Sequence, residues 1–197
     1  KIYTETYDKL LLAPGAKPTV PALSGVSSER VFTLRTVEDT LRIRHFVEDQ
    51  KPKNAVLAGG GFIGLEMAEN LTEMGVSVTI VQRPNQLLAP LDADMASFVH
   101  AEMRRHGVVL RLGETVTGFR QDGDSVLTLL ESSEPLHSDM VLLAIGVTPD
   151  THLAKDVGLE LGIRGSIAVT ERMETSVPDI YAVGDAVEVT HFVTGQK

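Results

Sequence analysis

The chain has 197 residues, of which 43% are hydrophobic and 23% charged, a composition typical of a globular protein. Its 18 basic and 27 acidic residues give a net charge of −9, which argues against a general nucleic-acid or anionic-membrane surface, since either would need a positive face. It contains no cysteine, so these residues supply no disulfide, thiol nucleophile or thiolate metal ligand.

The start of the chain predicts a strand, a loop and a helix. The apolar run YDKLLLAPG, residues 7–15, ends at Pro14-Gly15, which is typical of a buried strand followed by a turn. Residues 16–30 contain prolines and a serine cluster and predict a loop. A helix is expected after Thr36, a candidate N-cap with Asp39 three residues later, and should end before Pro52.

Residues 54–81 predict a strand, a glycine-rich turn, a helix and a second, parallel strand. The strands are AVLA (55–58) and VSVTIV (76–81), and the helix runs from Phe62 to a stop at Gly75. Its expected apolar face consists of Ile63, Met67, Leu71 and Met74.

The rest of the chain predicts a second helix of this unit, a third strand and then a change of pattern. The helix spans about residues 93–106, and the strand is VVLRLG (108–113). Residues 115–146 alternate short strands with turns, predicting an antiparallel meander that leads into a buried strand, MVLLAIG. Two further short strands are expected in SIAVT and DIYAVGDAV. In the helix predicted over about residues 93–106, the side chains expected to face inward are Met95, Phe98, Val99 and Met103.

Three glycines between the first strand and helix of the central unit fit the G-x-G-x-x-G pattern of dinucleotide-binding turns. Gly59 permits the tight turn out of the strand, Gly61 lets a pyrophosphate approach the backbone, and Gly64 lets the helix lie close to the sheet. The N-terminus of the helix then offers unpaired N–H groups and a partial positive charge to the phosphates. The sequence therefore predicts a dinucleotide site. Gly60, at a variable position of the pattern, is expected to add only flexibility.

The end of the second strand leaves the choice between NADH and NADPH open. An NAD site usually carries Asp or Glu here to bind the ribose 2′-hydroxyl, whereas this chain has Gln82 followed by Arg83. Gln82 can bind a hydroxyl without repelling a 2′-phosphate, and Arg83 can attract one or simply be a solvated loop residue.

Four motifs in this chain resemble those of one protein family and occur in the same order as in that family. YDKLLLAPGAKP (7–18), the glycine-rich GGGFIGLEMAENL (59–71), DMVLLAIGVTPD (139–150) and TSVPDIYAVGDAV (175–187) resemble the pyridine nucleotide–disulfide oxidoreductases. PLDADMA and GDAVEVTHFVTGQK are similar to the branch containing coenzyme A-disulfide reductases, NADH oxidases and persulfide reductases. The resemblance covers essentially the whole chain.

The resemblance implies an α/β architecture. A Rossmann-like, three-layer NAD(P)H-binding domain with a parallel sheet and an antiparallel meander would occupy residues 36–146. Partial segments of an FAD domain, residues 1–35 and 147–197, would flank it. By the same resemblance, the family's first FAD motif, redox-active cysteine and interface domain lie outside this sequence, and we expect the chain to be a fragment of a longer protein.

The flavin contacts follow from the same resemblance. Ala13 and Gly15 would lie near the flavin side of the junction between the domains. Gly184 and Asp185 would lie at the ribityl chain and pyrophosphate of FAD, where Asp185 can accept a hydrogen bond from a ribityl hydroxyl and Gly184 allows close approach.

The nicotinamide contacts are also assigned by resemblance. Phe62, Ile63 and Glu66 match positions that line the nicotinamide half of the dinucleotide, and the glutamate there orients the ring or its amide. Gly146 matches the glycine where the chain crosses beside the bound nicotinamide. Without the resemblance, Glu66 would be read as a surface acid that stabilises the helix dipole.

The implied enzyme passes hydride from NAD(P)H to FAD and on to a small disulfide, persulfide or oxygen acceptor. It would be a cytoplasmic homodimer when intact, and no side chain of this segment needs to be catalytic. The six histidines show no metal-ligand spacing. Two alternatives stay open: a non-catalytic redox sensor that binds NAD(H), and a cysteine-independent flavoprotein reductase of an electron-carrier protein.

Overall fold

The computed structural model describes residues 3–196 and divides into two compact units. One unit consists of Lys1–Lys17 and Val147–Lys197, and the other of Pro18–Gly146. Residues 18–35, which the sequence assigned to the first flanking segment, group with the second unit. They do so because the strand Val31–Thr33 hydrogen-bonds to the buried strand Met140–Leu143.

The strands in chain order are β1 (Leu10–Leu12), β2 (Ala16–Pro18), β3 (Val31–Thr33), β4 (Asn54–Ala58), β5 (Ser77–Gln82), β6 (Val109–Leu112), β7 (Val116–Asp122), β8 (Ser125–Leu130), β9 (Leu136–Ser138), β10 (Met140–Leu143), β11 (Val147–Pro149) and β12 (Ile180–Ala182). The α-helices are α1 (Val37–Gln50), α2 (Phe62–Glu73), α3 (Ala93–Arg105) and α4 (His152–Asp156). Two 3₁₀ turns are formed by Ile163–Gly165 and Gly184–Ala186.

The larger unit is built on a five-stranded sheet in the order β3-β10-β4-β5-β6, in which every neighbouring pair is parallel. Side chains of β4 alternate between the two faces: Leu57 belongs to the core beneath the helices, and Val56 belongs to the core on the other side. The strands therefore bury both faces, which explains their nearly continuous apolar sequences.

The helices α1, α2 and α3 cover one face of this sheet. The start of α1 is confirmed: Asp39 N–H donates to Thr36 Oγ1 at 3.2 Å, and Thr36 N–H donates to the Asp39 carboxylate at 3.0 Å. The antiparallel meander β7-β8-β9 covers the other face through Phe119, Val126 and Leu130. The predicted three-layer α/β fold is thus confirmed.

The predicted helix faces are partly wrong. In α2 the buried residues are Gly64, Ala68 and Leu71, whereas Ile63 is 40% and Met74 51% exposed. The three buried residues share one face at i, i+4 and i+7, and the small size of Gly64 and Ala68 lets this part of α2 lie close to the sheet.

The predicted face of α3 is also partly wrong. In α3, Ala96 is buried, Val99 and Met103 pack against the core as expected, and Met95 and Phe98 are 54% and 70% exposed. In α1, Ile43 and Val47 are the buried residues. In α2 and α3, assigning the largest apolar side chains to the core was therefore correct for part of the buried face and wrong for the rest.

The smaller unit contains two pairs of strands, β1 with β12 and β2 with β11. Its core includes Ile167, Ile180 and Ala182. Three expectations differ here: Leu11 in β1 is 59% exposed, residues 16–18 form β2 instead of loop, and Ile167 makes only isolated bridges.

Within residues 3–196, no helix combines the length and apolar character needed to cross a bilayer.

Candidate functional site

The glycine turn between β4 and α2 brings three backbone segments very close together. Gly59 has φ +116°, a conformation that L side chains rarely adopt, and a Cβ there would overlap the carbonyl oxygen of Ala144. A Cβ at Gly64 would overlap the carbonyl oxygen of Gly59. Both positions therefore need glycine for reasons of packing within the chain.

Gly61 differs from these two because a Cβ at this position would have no heavy atom within 4 Å. It is the N-cap of α2, and no side chain caps this end of the helix. The first N–H groups of an α-helix have no acceptor within the helix, so those after Gly61 are available to an external acceptor. A bare, uncapped helix start beside open space is a favourable place for a phosphate.

This open space belongs to a cavity of about 550 Å³ within the unit Pro18–Gly146. The carboxyl ends of β4, β5 and β10 open into it, as does the start of β7. Six of the predicted site residues line it: Gly59, Gly61, Phe62, Gln82, Arg83 and Gly146. Three do not, since Gly64 is buried behind the turn and Ile63 and Glu66 are exposed on α2.

Gln82 and Arg83 have different surroundings at the end of β5. The Gln82 Oε1 atom accepts a hydrogen bond from Gly60 N–H at 2.9 Å, and its Nε2 donates to the Gln86 carbonyl at 3.4 Å. The Gln82 amide therefore links the glycine turn to the loop that follows β5. Arg83 is exposed at the rim of the cavity and forms no ion pair with any residue of the described part of the chain.

Gly60 has a structural role that the sequence reasoning missed. A Cβ at this position would overlap the Leu87 side chain, and the Gly60 carbonyl accepts a hydrogen bond from Leu88 N–H at 2.9 Å. Leu87 is completely buried although it lies in the proline-marked loop between β5 and α3. The adjacent apolar residues Leu87 and Leu88 in this loop are the signal that could have revealed the contact.

Glu114 was also missed as a cavity residue. It is 8% exposed and accepts hydrogen bonds from the Ser133 hydroxyl and from Ser132 N–H, the latter at 3.0 Å. These bonds, the Ser133 hydroxyl first, lower the pKa of the Glu114 carboxyl below its usual value. The cavity therefore carries a fixed negative charge near β7, whereas Arg83 supplies a positive one at its rim.

In the smaller unit, the predicted flavin residues follow two paired strands. Because β1 and β12 are parallel, Ala13 and Gly184 come after strand ends at the same edge, where Val183 N–H donates to the Leu12 carbonyl at 3.0 Å. Gly15 and Gly184 have φ values of +71° and +80°, which favour glycine, and Asp185 is exposed. Within residues 3–196, no group of three or more His, Asp or Glu side chains could hold a metal ion.

Comparison with known proteins shows which family the chain matches and which proteins it is similar to. The profile of the family described as "Pyridine nucleotide-disulphide oxidoreductase" matches residues 2–196. The chain is 39% identical to an NADH oxidase of Methanocaldococcus jannaschii over 195 residues, covering 97% of this chain and 42% of that protein. It is 36% identical to the NAD(P)H coenzyme A polysulfide/persulfide reductase of Pyrococcus horikoshii over 192 residues, 97% of this chain and 43% of that protein.

Solved structures give the same result. Reduced CoADR-RHD of Bacillus anthracis is 48% identical, with a TM-score of 0.92 over 98% of this chain and 35% of the other. An FAD-dependent pyridine nucleotide-disulphide oxidoreductase of Desulfovibrio vulgaris is 36% identical, with a TM-score of 0.86 over 98% of this chain and 49% of the other. The chain thus spans less than half the length of each of these relatives.

Proposed function

Because this chain belongs to the pyridine nucleotide-disulphide oxidoreductase family, we propose that it forms the NAD(P)H-binding part and some of the FAD-binding part of an oxidoreductase. The unit Pro18–Gly146 binds the dinucleotide, and the unit of Lys1–Lys17 and Val147–Lys197 contributes to the flavin site. One observation carries the proposal: the uncapped start of α2 at Gly61 opens into the cavity at the carboxyl ends of the sheet. Dinucleotides bind at this edge of open α/β sheets.

The parts of the cavity correspond to the parts of NAD(P)H. The diphosphate accepts hydrogen bonds from backbone N–H groups at Gly61 and Phe62, where the helix dipole also favours negative charge. The adenylate end lies toward Gln82 and Arg83, and the nicotinamide end toward Phe62 and Gly146. Ile63 and Glu66 do not line the cavity, so their roles beside the nicotinamide rest on the family resemblance alone.

The nucleotide preference is broad. An NADH-specific site places a carboxylate beside the ribose, whereas Gln82 is neutral and holds the glycine turn. Arg83 is exposed at the cavity and can pair with a 2′-phosphate. We expect both NADH and NADPH to bind.

The residues Ala13, Gly15, Gly184 and Asp185 are the flavin contacts that this chain supplies. The left-handed backbone at Gly15 and Gly184 keeps the strand ends free of side chains, and the exposed Asp185 carboxylate can accept from a ribityl hydroxyl. Bound FAD would supply the redox chemistry, and the protein would bind and orient it. The relatives are named as a coenzyme A polysulfide/persulfide reductase and as an NADH oxidase, and we propose small disulfide, persulfide or oxygen acceptors for the intact enzyme. Because the 197 residues contain no cysteine, thiol chemistry would require one from elsewhere in the protein.

Isothermal titration of the chain with NADH and with NADPH tests the proposal. Gly61→Ala and Gly61→Val form a graded pair, because the space around Gly61 admits either side chain in the free protein. We expect the Ala variant to weaken binding and the Val variant to abolish it, with circular dichroism and thermal stability unchanged. Equal nucleotide affinity in all three proteins would overturn the placement of the diphosphate, and no binding to the unsubstituted chain would overturn the proposal.

A further inference from the structure

Two residues outside the glycine pattern hydrogen-bond to the backbone of Gly60, and a further bond holds the loop that carries one of them. Gly60 N–H donates to Gln82 Oε1, and the Gly60 carbonyl accepts from Leu88 N–H, both at 2.9 Å. The adjacent Leu87 N–H donates to His100 Nε2 at 3.0 Å. Gln82, Leu87, Leu88 and His100 are called the glycine clamp below.

The glycine clamp determines where the Gly61 N–H points. The carbonyl of Gly60 and the N–H of Gly61 belong to one planar trans peptide, in which the two groups point in opposite directions. The bond from Leu88 N–H fixes the direction of the carbonyl and therefore that of the Gly61 N–H. Without this bond, two consecutive glycines would leave the peptide plane free to rotate.

Leu88 pays a conformational cost to reach the Gly60 carbonyl. Its φ is +47°, in the left-handed region that is unfavourable for a bulky side chain. Such a conformation persists only where its surroundings over-determine it, and strained residues of this kind cluster at ligand sites. Here the Leu88 side chain is 8% exposed, the Leu88 carbonyl accepts from Leu91 N–H at 2.8 Å, and His100 holds the preceding residue.

We propose that His100 is a positioning residue for the diphosphate site, acting through Leu87 and Leu88 on the Gly60–Gly61 peptide. This inference rests on the proposed function, because the orientation of the Gly61 N–H matters only if a phosphate binds there. His100 does not line the cavity and contacts no part of the expected ligand, so it acts only through the loop.

The surroundings of His100 support this role. A hydrogen bond from Leu87 N–H requires an unprotonated Nε2, so the ring is neutral with its proton on Nδ1. Burial of the ring, and secondarily the charge of Arg104, lowers the pKa of His100 below its ordinary value. The acceptor is therefore present at neutral pH.

The test compares His100 variants by their affinity for ADP, which carries the diphosphate but not the nicotinamide. His100→Leu removes the acceptor, and we expect ADP and NADPH to bind roughly fivefold to tenfold more weakly, the effect of one lost hydrogen bond. His100→Gln retains an acceptor and should restore affinity to within about twofold. His106→Leu, at the exposed C-terminal end of the same helix, is the matched control and should bind as the unsubstituted chain does.

A ligand-free measurement distinguishes positioning from general destabilisation. The Gly61 amide resonance in a ¹H–¹⁵N spectrum should move in His100→Leu and stay in place in His106→Leu. If His100→Leu does not fold, His100→Asn replaces it, since its side chain is too short to reach Leu87 N–H, and the same loss of affinity is expected. Unchanged ADP affinity in a folded acceptor-free variant would overturn the positioning role alone. Absence of any nucleotide binding to the unsubstituted chain would overturn the proposed function and this inference together.

Discussion

Gln82 Oε1 accepts a hydrogen bond from the N–H of Gly60 at 2.9 Å, across a separation of 22 residues. The position at the end of the second strand, which dinucleotide sites commonly use for the ribose, is here bound to the glycine turn. One neutral side chain thus holds the backbone of the proposed phosphate site and leaves the proposed ribose site without a carboxylate at this position.

Gln82→Glu should separate these two effects. A glutamate can still accept from Gly60 N–H, so the turn should keep its shape, but the new carboxylate would repel a 2′-phosphate and can bind a 2′-hydroxyl. We expect NADPH affinity to fall about tenfold while NADH affinity stays within about twofold, corresponding to roughly 1.4 kcal/mol of discrimination. Calorimetric titration with both nucleotides measures the ratio. An equal loss for both would instead mean that the substitution disturbs the turn.

Arg83→Ala should also weaken NADPH binding, here by removing a positive charge and not by adding a negative one. Arg83 lies exposed at the cavity, and loss of an exposed charge pair to a phosphate is expected to cost about 1 kcal/mol, with a weaker effect at high salt. NADPH binding should therefore weaken roughly fivefold and NADH binding should hardly change. Arg172→Ala, an exposed residue of the smaller unit, is the control. A salt-independent effect, or one equal for both nucleotides, would argue against contact with a 2′-phosphate.

The order of the elements could be predicted from the sequence because each element carries its own local signal. The Thr36–Asp39 capping box and the turns of the meander depend on residues close together in the chain. Burial on the helices could not be predicted in this way. In α2 the small residues Gly64 and Ala68 face the sheet while the larger Ile63 and Met74 remain exposed, because close backbone approach at the glycine turn determines how this helix packs.

The candidate site likewise has a part that could be predicted from the sequence and a part that could not. The pattern of Gly59, Gly61 and Gly64 was visible because their spacing is local. The clamp on Gly60 was not, since it joins residues from the turn, the loop after β5 and helix α3, and only the fold brings His100 within reach of Leu87. Whether each predicted residue contacts a cofactor stays a prediction.

Alanine substitutions at three consecutive glycines should differ strongly in their cost to stability. Gly59→Ala forces an unfavourable positive φ and an overlap with the Ala144 carbonyl, so we expect a loss of about 3 kcal/mol or more. Gly60→Ala meets only the flexible end of the Leu87 side chain and should cost about 1–2 kcal/mol. Gly61→Ala has open space and a φ of −86°, so its effect should stay within about 0.5 kcal/mol. Urea unfolding measures all three, and a similar cost at each would contradict the described turn.

The pH dependence of stability should reveal the lowered pKa of the partly buried His100. Its pKa is below the ordinary value of 6.5 because burial disfavours the charged ring, so below pH 6.5 the unfolded chain binds this proton more readily than the folded one. The contribution is therefore fully present above pH 6.5 and is lost as pH falls through the lower native pKa. The pKa values of Glu102 and Glu114 are also lowered, but their contribution to stability is lost in a separate pH range, below the ordinary carboxyl value of 4.5. Urea unfolding between pH 8 and pH 5 should thus show a steeper decline for the unsubstituted chain than for His100→Gln, which cannot titrate. Parallel curves for the two proteins would mean that the pKa of His100 is the same in the folded and the unfolded chain, which would contradict the hydrogen bond from Leu87 N–H to an unprotonated Nε2.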